Sequence, residues 1–220
     1  MSTRYTLCIA ILFLAAQVTA QGAFRFGLAN SAAKRAAQVV DDSLPATPSM
    51  GLPILQLESI TTGQVIWPFG VQGGGHPMGH PGIDFQTVLN GSVFASATAK
   101  VSRIEDSYTD GTPQKYIQLE TPGYQLAYVG TLINITVVPG SFVSKGQKIA
   151  ELGPFGGWGN RYGFLHWGMY SRATQMAICP YDFLDPIAQG QLKALFALTT
   201  YAEQSQFPLL CNPCPDGGCR

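Results

Sequence analysis

The feature that most limits the fold of this chain is a succession of short apolar segments separated by turn residues, from about residue 53 to residue 170. In the segment 115–120, for example, Ile117 and Leu119 alternate with Tyr116 and Gln118, which is typical of a strand with one buried face. With 25 glycines and 15 prolines in 220 residues, the chain favours short strands over long helices. Such strands, at intervals of roughly 8–12 residues, predict an antiparallel β-sandwich or barrel.

A helix and a cysteine-rich tail are predicted after this β-rich domain, which we place at residues 53–186. Asp185 is a typical N-cap residue, and Pro186 suits the first helical turn. We place the helix at 187–204 and a Cys/Pro-rich tail at 205–220. The apolar side of this helix is predicted to consist of Ile187, Leu192, Leu195, Phe196 and Leu198.

The N-terminus has the pattern of a secretory signal peptide at residues 1–20. Arg4 supplies the positive charge, an apolar run covers residues 6–18, and Val18-Thr19-Ala20 is a small-residue cleavage site. The apolar run is shorter than the roughly 20 residues that a membrane-spanning helix needs. We therefore expect a secreted protein without a membrane anchor after cleavage. Residues 21–52 are interpreted as a leader or linker, or alternatively as a propeptide.

The charge pattern argues against one class of partner. Only 12% of the residues are charged, and the formal net charge is zero. The sequence has no basic stripe that would neutralise the phosphates of a nucleic acid, so we expect no nucleic-acid binding.

Four cysteines remain if the signal peptide, which contains Cys8, is removed: Cys179, Cys211, Cys214 and Cys219. In an oxidising compartment an even number of cysteines predicts two disulfides, and three pairings are open. The Cys211-x-x-Cys214 spacing also allows the alternative of a zinc ribbon completed by the other two cysteines.

A candidate metal site is centred on the stretch Gly79-His80-Pro81-Gly82-Ile83-Asp84-Phe85. In an extended strand, residues four apart share a face, so His80 and Asp84 are expected to point the same way, with Gly82 leaving room between them. Imidazole and carboxylate groups are normal zinc ligands, but two are too few. The natural third ligand is His166, since the chain has only 3 histidines. With His166, these residues would form a site for one Zn²⁺.

Residues ~64–186 resemble the M23 peptidases, the LytM/lysostaphin-type zinc endopeptidases that cut peptidoglycan peptides. His80-Pro-Gly-Ile-Asp84 is similar to the family's H-x-G-x-D motif, and Leu165-His166-Trp167 to the second half of its H-x-H motif. Further landmarks follow the family order at 67–70, 93–101 and 143–150. The resemblance implies a curved antiparallel β-sheet or sandwich with a duplicated hybrid motif. It also implies that His80, Asp84 and His166 hold zinc in a groove, with water as the fourth ligand.

Two departures from the family pattern concern the histidines that do not bind zinc. Phe164 stands at the first position of H-x-H, and Gly130 stands where a Y-x-H histidine is expected. A positioned acid–base group contributes about 10²–10⁴-fold to catalysis, and an oxyanion donor about 10²–10³-fold. Whether the protein is an active M23 metalloendopeptidase is therefore open. The alternative is a non-catalytic zinc-containing module for binding, regulation or signalling, similar to the chemotaxin-type members.

Substitutes for the missing groups are predicted near the metal. His76 is a candidate base or fourth ligand, and Tyr128 is a candidate oxyanion donor, although His76 could equally be a solvated loop residue. Aromatic residues are expected to line a groove for peptidoglycan or another peptide or glycan, with ordinary packing as the alternative. These groove residues are Trp158, Tyr162, Phe164 and Trp167.

Overall fold

The structure is a computed structural model of the 220-residue chain. It describes residues 44, 47–54, 66–73, 75–109, 111–199, 209–215 and 218–219, without the side chains of Thr109 and Trp158. All of these residues belong to the unit Val40–Arg220. The predicted signal peptide at 1–20 and most of the predicted leader at 21–52 lie outside the described residues.

The described residues form two antiparallel sheets. The strands are β1 (Ile66–Trp67), β2 (Gly82–Thr87), β3 (Ser92–Phe94), β4 (Ala99–Thr109), β5 (Thr112–Glu120), β6 (Tyr124–Gly130), β7 (Leu132–Ile133), β8 (Phe142–Val143), β9 (Lys148–Leu152), β10 (Gly163–Ser171) and β11 (Ala177–Ile178). The main sheet has the order β1-β2-β10-β6-β5-β4-β8, with β11 beside β10, and the smaller sheet has the order β3-β9-β7. The prediction of an antiparallel all-β core is confirmed.

The main sheet has two faces with different environments. On β10, Leu165 and Trp167 point to one face, which we call the core face, and His166 points to the other, which we call the open face. Large side chains of the core face are fully buried, and they include Ile83, Phe85, Ile117, Leu119, Leu126, Tyr128, Leu165, Trp167 and Met169. Together with Val93, Ile149 and Leu152 of the smaller sheet, these residues belong to one hydrophobic core.

The folded part of the chain includes residues that the sequence analysis assigned to the leader. Met50 is 0% exposed and forms a parallel bridge with Leu184. Ile54 forms an antiparallel bridge with Val93 of β3. Leu52 is also buried. These side chains therefore pack with the core of the β-rich domain, and the boundary at residue 52 stays a prediction.

The C-terminal helix, α1 (Pro186–Phe196), begins where the sequence predicts. The Asp185 carboxylate accepts a hydrogen bond from the Ala188 amide at 2.9 Å, which is N-cap geometry. The helix ends at Phe196 rather than 204, and residues 200–208 are outside the described part of the chain. No helix among the described residues is long and apolar enough to cross a membrane.

The predicted apolar side of α1 is partly wrong. The buried stripe consists of Ala188, Leu192 and Phe196, which are four residues apart and so lie on one side of the helix. Ile187 is 75% exposed and Leu198 is 51% exposed. Ile187 lies one residue, and therefore about 100° of helix rotation, away from the buried stripe.

Two disulfides join the four cysteines, as predicted. The pairs are Cys179–Cys211 and Cys214–Cys219, which settles the pairing that the sequence left open. The alternative of a zinc ribbon is wrong, because all four sulfurs are already bonded to one another.

Candidate metal centre

His80 lies before β2 rather than on it, since the strand begins at Gly82. Its amide donates to the Val71 carbonyl at 2.9 Å, and its carbonyl accepts from the Gly70 amide at 2.9 Å. The prediction that His80 and Asp84 share one face of a single strand is therefore wrong. They are nevertheless close, with 3.1 Å between His80 Nε2 and Asp84 Oδ1.

The sheet register brings His166 to the same point. His166 on β10 pairs directly with Asp84 on β2. His166 Nδ1 lies 2.7 Å from Asp84 Oδ1 and 3.1 Å from His80 Nε2. Zinc–ligand bonds of about 2.0–2.2 Å in tetrahedral geometry separate two ligand atoms by roughly 3.3–3.6 Å. The three donors are thus nearly spaced for one ion, and their chemistry fits zinc.

The His80 ring is oriented by its neighbours. Its Nδ1 lies 3.1 Å from the Pro68 carbonyl oxygen, which can only accept a hydrogen bond. Nδ1 therefore carries the proton, and in the neutral ring Nε2 keeps a free electron pair for a metal. The Trp67 ring stacks on the His80 ring at 5.2 Å between centroids. Trp67 and Pro68 were seen in the sequence as a family landmark, but not as groups that orient a ligand.

The electrostatics keep Asp84 ionised. Burial acts to raise the pKa of its carboxyl group, but the charges and hydrogen bonds of His80 and His166 outweigh burial and hold the pKa below its usual range. The side chains of Asp84 and His166 remain 11% and 13% exposed, while that of His80 is 0% exposed. The site is therefore reached from the open face, past Asp84 and His166.

Gly82 makes room for the His166 ring. A Cβ atom at this position would lie 2.7 Å from His166 Cε1 and 2.8 Å from its Nε2. It would also lie 2.7 Å from the Trp167 carbonyl oxygen, which belongs to the backbone and cannot move independently. The expectation that Gly82 leaves space within the site agrees with this packing.

The open face next to His166 carries apolar side chains. Phe164 lies two residues along β10, pairs with Gln86 and stacks on Phe155 at 4.9 Å between ring centroids. On β6 the residue paired with His166 is Val129. Neither a phenyl ring nor an isopropyl group can donate or accept a proton.

Gly130, which stands where a Y-x-H histidine is expected, is not the β6 residue that pairs with His166. It pairs with Leu165, one residue out of register with His166. A Cβ atom on Gly130 would lie 2.2 Å from the Phe164 carbonyl oxygen, so this backbone has no space for a side chain there. The β6 residue that pairs with the candidate ligand His166 is therefore Val129 and not Gly130.

Two predicted site residues lie on the core face instead. Tyr128 is 0% exposed, its hydroxyl group accepts from the Ser96 amide at 2.8 Å, and it lies 2.6 Å from Ser96 Oγ. Burial raises the pKa of this hydroxyl to about 12. Trp167 is also 0% exposed and packs near Phe85. The roles of Tyr128 as an oxyanion donor and of Trp167 as a groove residue are therefore wrong.

His76 lies beside the three donors without being one of them. Its ring centroid is 5.0 Å from that of His80 and 6.2 Å from that of Trp67. Its backbone amide and carbonyl both hydrogen-bond to Gly73. Burial, and to a lesser degree the nearby His80, lowers the pKa of His76, which favours the neutral form of its ring.

The remaining groove candidates lie in and around the loop before β10. Tyr162 is half-buried, and its carbonyl accepts from the Phe155 amide at 3.0 Å. Trp158 ends a short 3₁₀ turn, Gly156–Trp158, and its side chain is outside the described part of the structure. A groove lined by Trp158, Tyr162 and Phe164 stays a prediction.

The geometry agrees with a comparison to known families. Residues 78–178 match the family model of peptidase family M23. We call this matched stretch, residues 78–178, the M23 segment. The M23 segment contains all three donors, whereas Trp67, Pro68 and the C-terminal tail lie outside it. A search of curated proteins finds no match.

Several solved structures are similar to the chain. An M23 protein from Pseudomonas aeruginosa has 20% identity and a TM-score of 0.47, over 76% of this chain and 62% of that one. Helicobacter pylori Csd3 has 19% identity and a TM-score of 0.47, over 68% of this chain and 38% of that one. The catalytic domain of lysostaphin from Staphylococcus simulans has 22% identity and a TM-score of 0.43, over 53% and 88% respectively. The chain thus spans less than two thirds of the length of the first two.

Proposed function

We propose that this protein is a secreted, zinc-binding M23-domain protein that binds peptidoglycan-like peptides without measurable hydrolysis. One observation carries the proposal: His80, Asp84 and His166 converge to within 3.1 Å, while their open-face neighbours Phe164 and Val129 cannot transfer a proton. Secretion is supported by the predicted signal peptide at 1–20 and by the two disulfides.

The metal and the protein would contribute different parts of the chemistry. A zinc ion held by these residues would polarise a peptide carbonyl and lower the pKa of a water molecule to about 7. The protein orients His80 through the Pro68 carbonyl and keeps Asp84 anionic. Phe164 offers no proton to the leaving amine, and the absence of such an acid typically costs about 10²–10⁴-fold in rate. Binding of a peptide carbonyl at the metal would survive this loss.

A second candidate function, a slow zinc endopeptidase, is favoured by the position of His76. Its ring is adjacent to that of His80, and its lowered pKa leaves it able to accept a proton. Gly73, Gly75 and Gly79 flank it with positive φ values, a conformation that suits glycine. In this function His76 would serve as the base in place of the missing histidines.

Hydrolysis of peptidoglycan and of a pentaglycine peptide by the zinc-loaded protein separates the two functions. We expect no measurable cleavage by the wild-type protein, together with saturable binding of the peptide that is lost in His80→Ala. Phe164→His should raise the cleavage rate by about 10²-fold or more. Measurable zinc-dependent cleavage by the wild type would contradict the binding function. If that cleavage is abolished in His76→Ala, the second function is correct.

A further inference from the structure

The C-terminal tail is a distinct structural element that lies outside the M23 segment. We call its described residues, 209–215 and 218–219, the C-terminal clasp. The Cys179–Cys211 disulfide fastens the clasp next to β11, and the Cys214–Cys219 disulfide closes it on itself. The clasp is therefore held at a defined place on the molecule although it has little regular secondary structure.

The clasp pairs with the backbone that follows β1. The Phe69 amide donates to the Leu210 carbonyl at 3.0 Å, and the Asn212 amide donates to the Phe69 carbonyl at 3.0 Å. Asn212 Nδ2 donates to the same Phe69 carbonyl at 3.0 Å. Phe69 and Cys211 form a parallel bridge. The clasp is thus hydrogen-bonded to both backbone groups of Phe69 and forms an isolated parallel bridge with it.

The same backbone holds the metal ligand His80. The Gly70 amide donates to the His80 carbonyl, and the His80 amide donates to the Val71 carbonyl, both at 2.9 Å. The Pro68 carbonyl accepts from the His80 ring. Residues 68–71 are therefore bonded to His80 on one side and to the clasp on the other.

The clasp also packs directly against this region. A Cβ atom on Gly79, the residue before His80, would lie 2.8 Å from Cys219 Sγ and 3.3 Å from Pro215 Cδ. A Cβ atom on Gly70 would lie 2.1 Å from the Asn212 carbonyl oxygen. Cys219 itself is 0% exposed. Close packing at two glycines leaves the segment around His80 little freedom to move.

We propose that the C-terminal clasp is a positioning element that holds His80 in place and thereby raises the affinity of the protein for zinc. The inference rests on the proposed zinc site. Its physical reason is that His80 follows a loop with glycines at residues 73, 75 and 79, which must be ordered before the ligand can bind. The disulfide-linked clasp orders this region in advance, as outer-shell partners of metal ligands do.

A pair of glycine variants tests the clasp. Gly70 and Gly75 both have positive φ values, +81° and +90°, so alanine is strained at either position. Only at Gly70 would the added methyl group collide with the clasp, because a Cβ on Gly75 meets nothing within 4 Å. Gly70→Ala should weaken zinc binding by about 10- to 100-fold, measured by competition with a chromophoric chelator, relative to Gly75→Ala.

Amide hydrogen exchange in the zinc-free protein provides a second readout. The amides of Gly70 and His80 donate the two hydrogen bonds that join residues 70–71 to His80, so their exchange reports on this contact. They should exchange faster in Gly70→Ala than in Gly75→Ala, while the amides of β5 exchange equally in both. A double variant, Cys214→Ser with Cys219→Ser, should show the same two effects to a smaller degree and without any strained backbone.

The outcomes separate this inference from the proposed zinc site. The two clasp variants are Gly70→Ala and the double variant Cys214→Ser with Cys219→Ser. If the amides of residues 70 and 80 exchange at the wild-type rate in both, the inference is overturned, whether or not the protein binds zinc. Unchanged zinc affinity in both variants, with the wild type binding zinc, would also overturn it. If the two variants exchange faster at residues 70 and 80 but the wild-type protein takes up no zinc, the ordering role of the clasp is supported and only the zinc site is refuted.

Discussion

The two faces of the main sheet carry adjacent residues of the same strands with opposite roles. On β10, His166 lies on the open face and contributes a donor atom, whereas Trp167 is fully buried on the core face. On β6, Val129 is the open-face neighbour of His166, whereas Tyr128 is buried and bonded to Ser96. One step along a strand therefore separates the candidate metal centre from the hydrophobic core. A polar or aromatic residue next to a ligand in sequence is a poor candidate for the site.

The largest expected effect is the loss of zinc when the His166 side chain is removed from the open face. Removing its donor leaves His80 and Asp84, which are too few to hold zinc, so His166→Ala should lose stoichiometric zinc. The zinc-free fold should remain, because the side chain is not part of the hydrophobic core. Metal analysis after gel filtration and thermal melts in a chelator measure the two properties. If His166→Ala retained stoichiometric zinc, His166 on the open face would not be a zinc ligand.

The next effect tests the core face at Trp167. Trp167→Ala should lower the free energy of unfolding by about 3–5 kcal/mol, because it removes a large, fully buried side chain. Urea denaturation of the zinc-free protein measures this change. A loss below about 1 kcal/mol would place Trp167 outside the core and would reopen its role in the groove.

A substitution at Gly82 tests the packing of the His166 ring on the open face. In Gly82→Ala the methyl group should displace the His166 ring and push against the Trp167 carbonyl. We expect zinc affinity to fall by about 10- to 100-fold, the range for displaced metal ligands and their partners. Gly140→Ala is a control, since it has nothing within 4 Å and bears only the strain of a positive φ. Equal zinc affinities in the two variants would contradict the packing of His166 over Gly82.

The smallest effect concerns the buried hydroxyl of Tyr128. Tyr128→Phe should cost about 1–3 kcal/mol at pH 7, because the Ser96 amide and hydroxyl lose their buried partner. Zinc affinity should not change, since the hydroxyl lies on the core face.

The stability difference between the wild type and Tyr128→Phe should also depend on pH. Burial raises the pKa of Tyr128 to about 12, against about 10 in the unfolded chain. Between these values the unfolded state loses a proton that the folded state keeps, so this tyrosine lowers the stability of the wild type as the pH rises. The stability gap between wild type and Tyr128→Phe should therefore narrow from pH 10 to pH 12. A constant gap in urea titrations would contradict the burial of the hydroxyl.

Local patterns predicted the site better than they predicted its surroundings. The H-x-G-x-D spacing and the small number of histidines sufficed to select His80, Asp84 and His166. The N-cap at Asp185 could be predicted because it depends on two adjacent residues, Asp185 and Pro186. By contrast, no local pattern indicated that Val129 pairs with His166 on the neighbouring strand. Register depends on pairing between distant strands, which no local pattern contains.

By itself, the sequence determined the short antiparallel strands, the three candidate ligands, the even number of cysteines and the replacement of a family histidine by Phe164. The first three follow from residue type and spacing along the chain, and the last follows from the resemblance to the M23 peptidases. Only the tertiary structure decided which disulfides form, which face each side chain takes and that His80 is held from outside β2. Those outcomes depend on the packing of β2, β6, β10 and the C-terminal clasp, segments that are far apart in the chain. The clasp shows this most clearly, because its contact with Gly79 joins residues about 140 positions apart.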